Sequence, residues 1–196
     1  YEAKKSRINR RSHIYLSTNN PGDFRYNVCM KKIISPFNKS GIGALKAGNR
    51  VLISGILITV RDAAHKKLFE LIQKGKRLPV SIKGQIIYYV GPTPARPGKV
   101  IGSAGPTTAG RMDKYTPALL KAGLSAMIGK GKRGREVIDA IIKNKAVYFA
   151  AVGGAGAYLS KRIKSSKIVA YPELGTEAIR QIEVEDFPAV VAIDSK

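Results

Sequence analysis

The chain has 196 residues, 44% of them hydrophobic, enough to bury a core in one domain or in one domain plus a small arm. With 35 Lys and Arg against 13 Asp and Glu, its net charge of +22 attracts polyanions and small dianions alike. The sole cysteine, Cys29, excludes an internal disulfide and a cysteine-ligated zinc or iron-sulfur centre held by this chain alone, and with no apolar run of transmembrane length and no secretory core at the N-terminus a cytoplasmic protein is expected.

Residues 1–29 carry six Lys or Arg against Glu2 and Asp23, together with the turn-forming run Asn19, Asn20, Pro21, Gly22. They read as an appended basic arm: an extension ahead of Met30, natural or artificial, or a tail for RNA. Residues 30–196 are taken as the domain proper. Val51 to Val60, VLISGILITV, is apolar on both alternating sets and rich in β-branched residues, which predicts a strand buried on both faces. A helix follows in RDAAHKKLFELIQKGK, with Leu68, Leu71 and Ile72 as its apolar stripe, Asp62 in its first turn and Gly75 stopping it. Arg61 thus falls at a strand-to-helix switch.

Ser81 to Val90 predicts a second strand. The loop after it runs through Gly91, Pro92, Pro94, Pro97, Gly98, Gly102, Gly105 and Pro106 to the adjacent hydroxyls Thr107 and Thr108, with Arg111 beyond. Free amides at a helix start, two hydroxyls and a guanidinium suit a carboxylate or a phosphate; a proline-stiffened surface loop with threonine caps is the plainer reading. MDKYTPALLKAG predicts a short helix ended by Gly123. Strands are expected at LSAMIG, AVYFAAV and KIVAY, separated by helices at REVIDAIIKNK and AYLSKRIK, and Ile179 to Ile193 is read as two strands broken at Pro188. This alternation is that of an α/β domain with a mixed sheet flanked by helices.

Arg61, Arg111 and Lys130 each sit where a loop meets an element, the place where open α/β sheets bind ligands. Taken singly each is a solvated charge; their shared position is the signal. His65, one helical turn after Arg61, either orients a substrate or helps cap the helix through Asp62, and a lone histidine predicts no metal site. GGAGAYL, from Gly153 to Leu159, with Glu173 further on, partly matches a dinucleotide fingerprint, but Leu159 stands where the third glycine belongs, so its small residues are read as permitting close packing or lining a pocket. IGKGKRGRE lacks the spacing of a phosphate-binding loop, and its basic run lacks the interleaved aromatics of a single-strand platform.

At VRDAAHKK, GPTPARPGKVIGSAGPTTAGRMDKYTP, IGKGKRG, VYFAAVGGAGA and EVEDFPAVVAID the chain resembles the β-subunit type of class I fumarate hydratases and L-tartrate dehydratases, from about Ile33 to Lys196. The resemblance implies a swivelling β/β/α domain that forms one wall of an active site. It further implies a [4Fe-4S] cluster bound by a separate α subunit or α-type domain, and an α2β2 assembly. Arg61, Arg111 and Lys130 match the family's substrate-carboxylate binders, Thr107 and Thr108 its paired threonines, and Gly105 and Gly154 its small residues near substrate. Thr107 matches the group proposed to abstract a proton. One departure lies at Gly48-Asn49, where the family usually has an acid after the glycine.

The resemblance therefore implies a hydro-lyase β subunit, inactive alone, that hydrates fumarate to (S)-malate with its α partner; tartrate dehydration is the nearest alternative. A basic RNA-binding protein is the rival outside enzymes, and nucleic acid is not the expected partner. A nucleotide-binding enzyme ranks third.

Overall fold

The computed structural model describes residues 14–17, 30–36 and 39–196. In chain order the elements are β1 (Ile14–Ser17), β2 (Met30–Ser35), α1 (Lys39–Ile42), β3 (Arg50–Thr59), α2 (Asp62–Gln73), β4 (Ile86–Tyr88), a 3-10 turn (Ala109–Met112), α3 (Thr116–Lys121), β5 (Ala126–Gly129), α4 (Arg135–Asn144), β6 (Val147–Ala150), α5 (Gly156–Ser160), β7 (Ile163–Ala170), a second 3-10 segment (Pro172–Glu177) and β8 (Ile179–Ile193).

Strand pairing closes on itself. β3, β4, β5 and β6 are parallel neighbours, β6 pairs antiparallel with β8, and β8 pairs antiparallel with β3 along its length, Arg50 opposite Val190 and Thr59 opposite Arg180. β1 and β2 extend the sheet from the first half of β3, and β7 extends it from the first half of β8. Because side chains alternate along each strand, this curved sheet feeds two cores. Ile53, Leu57, Ile86, Tyr88, Ile128, Phe149 and Phe187 fill the space between the strand layers. Ile58, Ile87, Tyr89, Met127 and Tyr148 face the other way, against Leu68 of α2, Leu119 and Leu120 of α3, and Val137 and Ile141 of α4. Each fully buried side chain of this size contributes roughly 1.5–3 kcal/mol over an exposed one, so the β/β/α layering is fixed by the alternation. Gly55 is required where β2 crosses closest: its φ is +102°, and a Cβ there would collide with the carbonyl oxygen of Ser35.

Several sequence expectations need correction. The strand expected over Ser81 to Val90 is confined to Ile86–Tyr88, because Gly84, at φ +74°, turns the chain and donates to Gly123 O. The helix expected in MDKYTPALLKAG begins only at Thr116, with Pro117 in its first turn, where a missing N–H costs no helical bond. Of AYLSKRIK only Ala157 to Ser160, within α5, is helical; from Ile163 the backbone joins β8 as an edge strand, tertiary pairing overriding the local pattern. Ile179–Ile193 is one continuous strand, not two. Pro188 stands where β7 has ended its pairing at Val184 and β6 has yet to begin at Val190, so on that edge no ladder bond is broken. The irregularity falls instead at Asp186, φ +47°, whose N–H donates to Ser54 Oγ at 3.0 Å. Within the segment read as an arm, Ile14–Ser17 pairs antiparallel with β2; the rest of residues 1–29, including Cys29 and His13, lies outside the described residues.

By contrast β3 draws on both cores, as its apolar run implies, and α2 ends as expected, with Gly75 at φ +61° and Lys76 N–H donating to Leu71 O at 2.9 Å.

Candidate functional site

The carboxyl ends of β3, β4, β5 and β6 lie side by side, and each carries one of the residues singled out above. Arg61 follows β3 as the residue before α2, the loop from Gly91 follows β4, Lys130 follows β5, and Gly153 and Gly154 follow β6. Parallel pairing therefore gathers onto one edge residues that the sequence scatters.

Arg61 and Arg111 meet at one carboxylate. Asp62 Oδ2 lies 3.2 Å from Arg61 Nε and 3.1 Å from Arg111 Nη2. Glu177 closes the group: its Oε1 lies 3.4 Å from Arg61 Nε, and its Oε2 accepts the Ala63 N–H at 2.7 Å, satisfying an amide of the first turn of α2. Because both acids engage Nε, the terminal nitrogens of Arg61 have no acceptor among the described residues. Gly91 makes room for them: a Cβ there would stand 2.7 Å from Arg61 Nη1.

Thr107 and Lys130 are tied through backbone. Lys130 N–H donates to Thr107 O at 3.1 Å and Ala109 N–H to Lys130 O at 2.8 Å, so Thr108 and Lys130 form a parallel bridge that continues β5. The Thr107 amide and hydroxyl both donate to Tyr89 O, at 2.8 and 3.0 Å. Lys130 is exposed, its aliphatic stem lies over Gly153, and its Nζ has no acidic partner among the described residues. Gly105 packs on Gly156, where a Cβ would come within 3.4 Å of Gly156 Cα, while Gly154, at φ +79°, is exposed and open. Thr108 is likewise exposed.

Two sequence expectations change here. The Thr107 and Ala109 amides are taken by Tyr89 O and Lys130 O, and a single 3-10 turn, not an α-helix, follows. His65 is fully buried and does not cap through Asp62; its Nδ1 lies 3.3 Å from Arg61 O, and its ring meets Tyr89 edge-on at 5.1 Å and stacks on Tyr115 at 6.3 Å. Its Nε2 has no partner among the described residues. Burial, with Arg133 adding, lowers its pKa from 6.5 to about 4, so it is neutral at physiological pH.

The sequence pattern puts Arg61, Arg111 and Lys130 at loop-element junctions but does not show which acids meet the two arginines: Asp62 reads as a first-turn acid and a capping partner for His65, and Glu177 gives no local signal. The sequence also gives no sign of a pair with a buried guanidinium: Arg133 Nε donates to Asp113 Oδ1 at 2.7 Å, with Asp113 partly exposed. Among the described residues no three His, Cys, Asp or Glu side chains converge as metal ligands, and no helix is long and apolar enough to cross a membrane. The concavities at Arg77–Lys83, beside Lys74 and Tyr171, and between Tyr158 and Val190 contain none of Arg61, Thr107, Arg111 and Lys130; of these four, Arg111 and Lys130 are exposed and Arg61 and Thr107 half-buried.

Fold and face together define a class: β/β/α domains that present guanidinium, ammonium and hydroxyl groups at the carboxyl ends of parallel strands. The family described as Fumarase C-terminus matches residues 11–196, and the chain belongs to it. The chain is 46% identical over 169 residues to the anaerobic class I fumarate hydratase of Escherichia coli strain K12, covering 85% of this chain and 30% of that protein. It is 45% identical over 151 residues to fumarate hydratase 2 of Leishmania major, covering 76% of this chain and 27% of that protein. With a putative L(+)-tartrate dehydratase subunit beta of Methanocaldococcus jannaschii it shares 34% identity over 172 residues, covering 85% of this chain and 88% of that subunit. The chain thus spans less than a third of the fumarate hydratases it matches.

Proposed function

We propose that the chain is the β part of a two-component hydro-lyase that interconverts fumarate and (S)-malate in the cytoplasm, paired with an α chain in an α2β2 assembly. The observation that carries this reading is the gathering of Arg61, Arg111, Thr107 and Lys130 on one strand-end edge of a Fumarase C-terminus domain. Dehydrating a 2-hydroxy dicarboxylate needs cations on two carboxylates, a base for the proton on the adjacent carbon, and an electrophile at the leaving hydroxyl. Arg61 offers terminal nitrogens and Lys130 an ammonium that meet no acid among the described residues, and Arg111 a second guanidinium; forked guanidinium groups match carboxylates and stabilise the charge that builds on them. Thr108 and the small residues Gly105 and Gly154 complete the wall.

In this reading Thr107 takes the proton. Its hydrogen bond to Tyr89 O favours the protonated hydroxyl, so the role requires Lys130 and Arg111 to outweigh that bond when substrate is present. The described residues contain no ligand set for an iron-sulfur cluster and Cys29 alone cannot hold one, so the [4Fe-4S] cluster implied by the family is assigned to the α partner.

Tartrate dehydration is a second reading, favoured by the 34% identity to a putative L(+)-tartrate dehydratase subunit beta, 88% of which this chain covers. Coexpression with an α-type partner, anaerobic cluster reconstitution and assays on fumarate, malate and both tartrate enantiomers decide between them. Turnover of fumarate and malate by the complex, with none by the chain alone, is the expected result. A reconstituted complex inert on all these substrates overturns the reading.

A further inference from the structure

The side chain of Arg133 is fully buried, yet it touches groups from every segment that supplies the Thr107, Arg111 and Lys130 positions. Its Nε donates to Asp113 Oδ1 at 2.7 Å, its Nη2 to Thr116 Oγ1 at 2.7 Å and its Nη1 to Tyr89 Oη at 3.4 Å. The guanidinium also lies over the rings of Tyr89 and Tyr148, 5.4 and 5.1 Å from their centroids. Asp113 Oδ2 accepts Gly134 N–H at 2.6 Å, which completes the clasp between the segment after Arg111 and the segment after Lys130.

Each contact leads back to the strand-end edge. Asp113 follows Arg111 by two residues, and Arg133 follows Lys130 by three. Tyr89, whose hydroxyl meets the guanidinium, is also the residue whose carbonyl holds the Thr107 amide and hydroxyl. Tyr148, whose ring lies under the guanidinium, donates from its hydroxyl to Gly131 O at 3.1 Å, next to Lys130.

Stability alone does not demand a buried guanidinium here: Asp113 is only partly buried, and an ion pair taken out of water is commonly matched or bettered by apolar side chains of the same volume. What a planar five-donor fork adds is geometry: it fixes several acceptors at set angles at once, which a lysine or a methionine does not. We propose that Arg133, held by Asp113, is a positioning residue that keeps the Thr107–Lys130 backbone bridge and the Arg111 turn in mutual register without touching substrate. This inference rests on the hydro-lyase reading of the same face.

The test uses the chain copurified with its cluster-bearing α-type partner, comparing wild type with Arg133→Lys, which keeps the charge and loses the fork, and Asp113→Asn, which keeps the shape and loses the acid. Misplacing reacting groups by a fraction of an ångström lowers turnover rather than binding, so kcat per reconstituted cluster is expected to fall roughly 10- to 100-fold with KM changed less than about threefold. Hydrogen exchange on the chain without its partner supplies a readout free of catalysis. The Ala109 and Lys130 amides, which form the bridge, are expected to exchange on the order of tenfold faster in both variants while amides of β3 are unchanged. Wild-type kcat in whichever variants fold, or bridge amides no faster than in wild type, overturns the positioning role. If the wild-type complex has no hydro-lyase activity, the functional reading fails instead, and the exchange comparison alone still decides whether Arg133 holds the bridge.

Discussion

Arg111 reaches from its 3-10 turn to Asp62 at the start of α2, Nη2 to Oδ2 at 3.1 Å, and there meets the oxygen that also lies 3.2 Å from Arg61 Nε. The carboxylate orients two guanidinium groups toward one face, with Glu177 as a second anchor for Arg61. All three side chains are partly exposed, 29% for Arg61, 37% for Asp62 and 47% for Arg111, so the ion pairs contribute little to folding. Asp62→Asn is therefore expected to change unfolding free energy by less than about 1 kcal/mol. By loosening both clamps it should lower kcat/KM for the dicarboxylate on the order of tenfold. Denaturant titration beside steady-state kinetics measures the two effects separately, and a variant with wild-type kcat/KM refutes the orienting role.

Gly91 tests the same clamp by steric means. A Cβ at this position would stand 2.7 Å from Arg61 Nη1 and 3.1 Å from its Cδ, with Thr176 O at 3.3 Å. The first two atoms belong to a flexible side chain, so the chain accommodates the methyl by moving the guanidinium rather than by unfolding. Gly91→Ala should leave the melting temperature within about 2 °C of wild type and raise KM severalfold. Unchanged KM would mean that the position of Arg61 does not matter to substrate.

How far these relationships were legible depended on whether they are local. The apolar runs of β3, β5 and β6 and the stop at Gly75 were readable because each is decided by its own residues. The placing of Arg61, Arg111 and Lys130 at strand ends followed from the same pattern. β7 was not readable beyond KIVAY, since Ile163 to Ser166 owe their extended form to pairing with Ile182 to Val184 of β8. Glu177 and Arg133 act across the fold, and nothing beside them in the chain announces their partners. At Asn49 the side-chain oxygen accepts Lys46 N–H at 3.0 Å and Lys31 Nζ at 2.8 Å, so an amide suffices for that turn.

Thr107 separates hydrogen-bonding from proton transfer. Thr107→Val removes the hydroxyl and its 3.0 Å bond to Tyr89 O but keeps the amide bond to the same carbonyl, so the fold should lose only about 0.5–1.5 kcal/mol. Loss of the base should lower kcat by roughly 10²–10⁴-fold, whereas Thr107→Ser should retain most turnover. Assays on the reconstituted complex decide it: a valine variant with wild-type kcat leaves Thr107 no part in proton abstraction.

His65 gives the fold an acid-sensitive term. Burial holds its folded-state pKa at about 4, against an ordinary value of 6.5. Between these values the unfolded chain binds a proton that the folded chain does not, so stability rises with pH through this window. The contribution is intact above about pH 6.5, falls as the pH drops toward 4, and levels off once both states are protonated. At pH 4.5 the loss attributable to His65 amounts to roughly 2–3 kcal/mol relative to neutral pH. Exposed carboxylates titrate in the same range, so the informative quantity is the difference between wild type and His65→Phe, which keeps an apolar ring between Tyr89 and Tyr115 and has no proton to gain. Urea unfolding at pH 7.5 and pH 4.5 should show wild type losing about that much more stability than the variant; parallel losses would mean that His65 is already protonated, or solvated, in the folded chain.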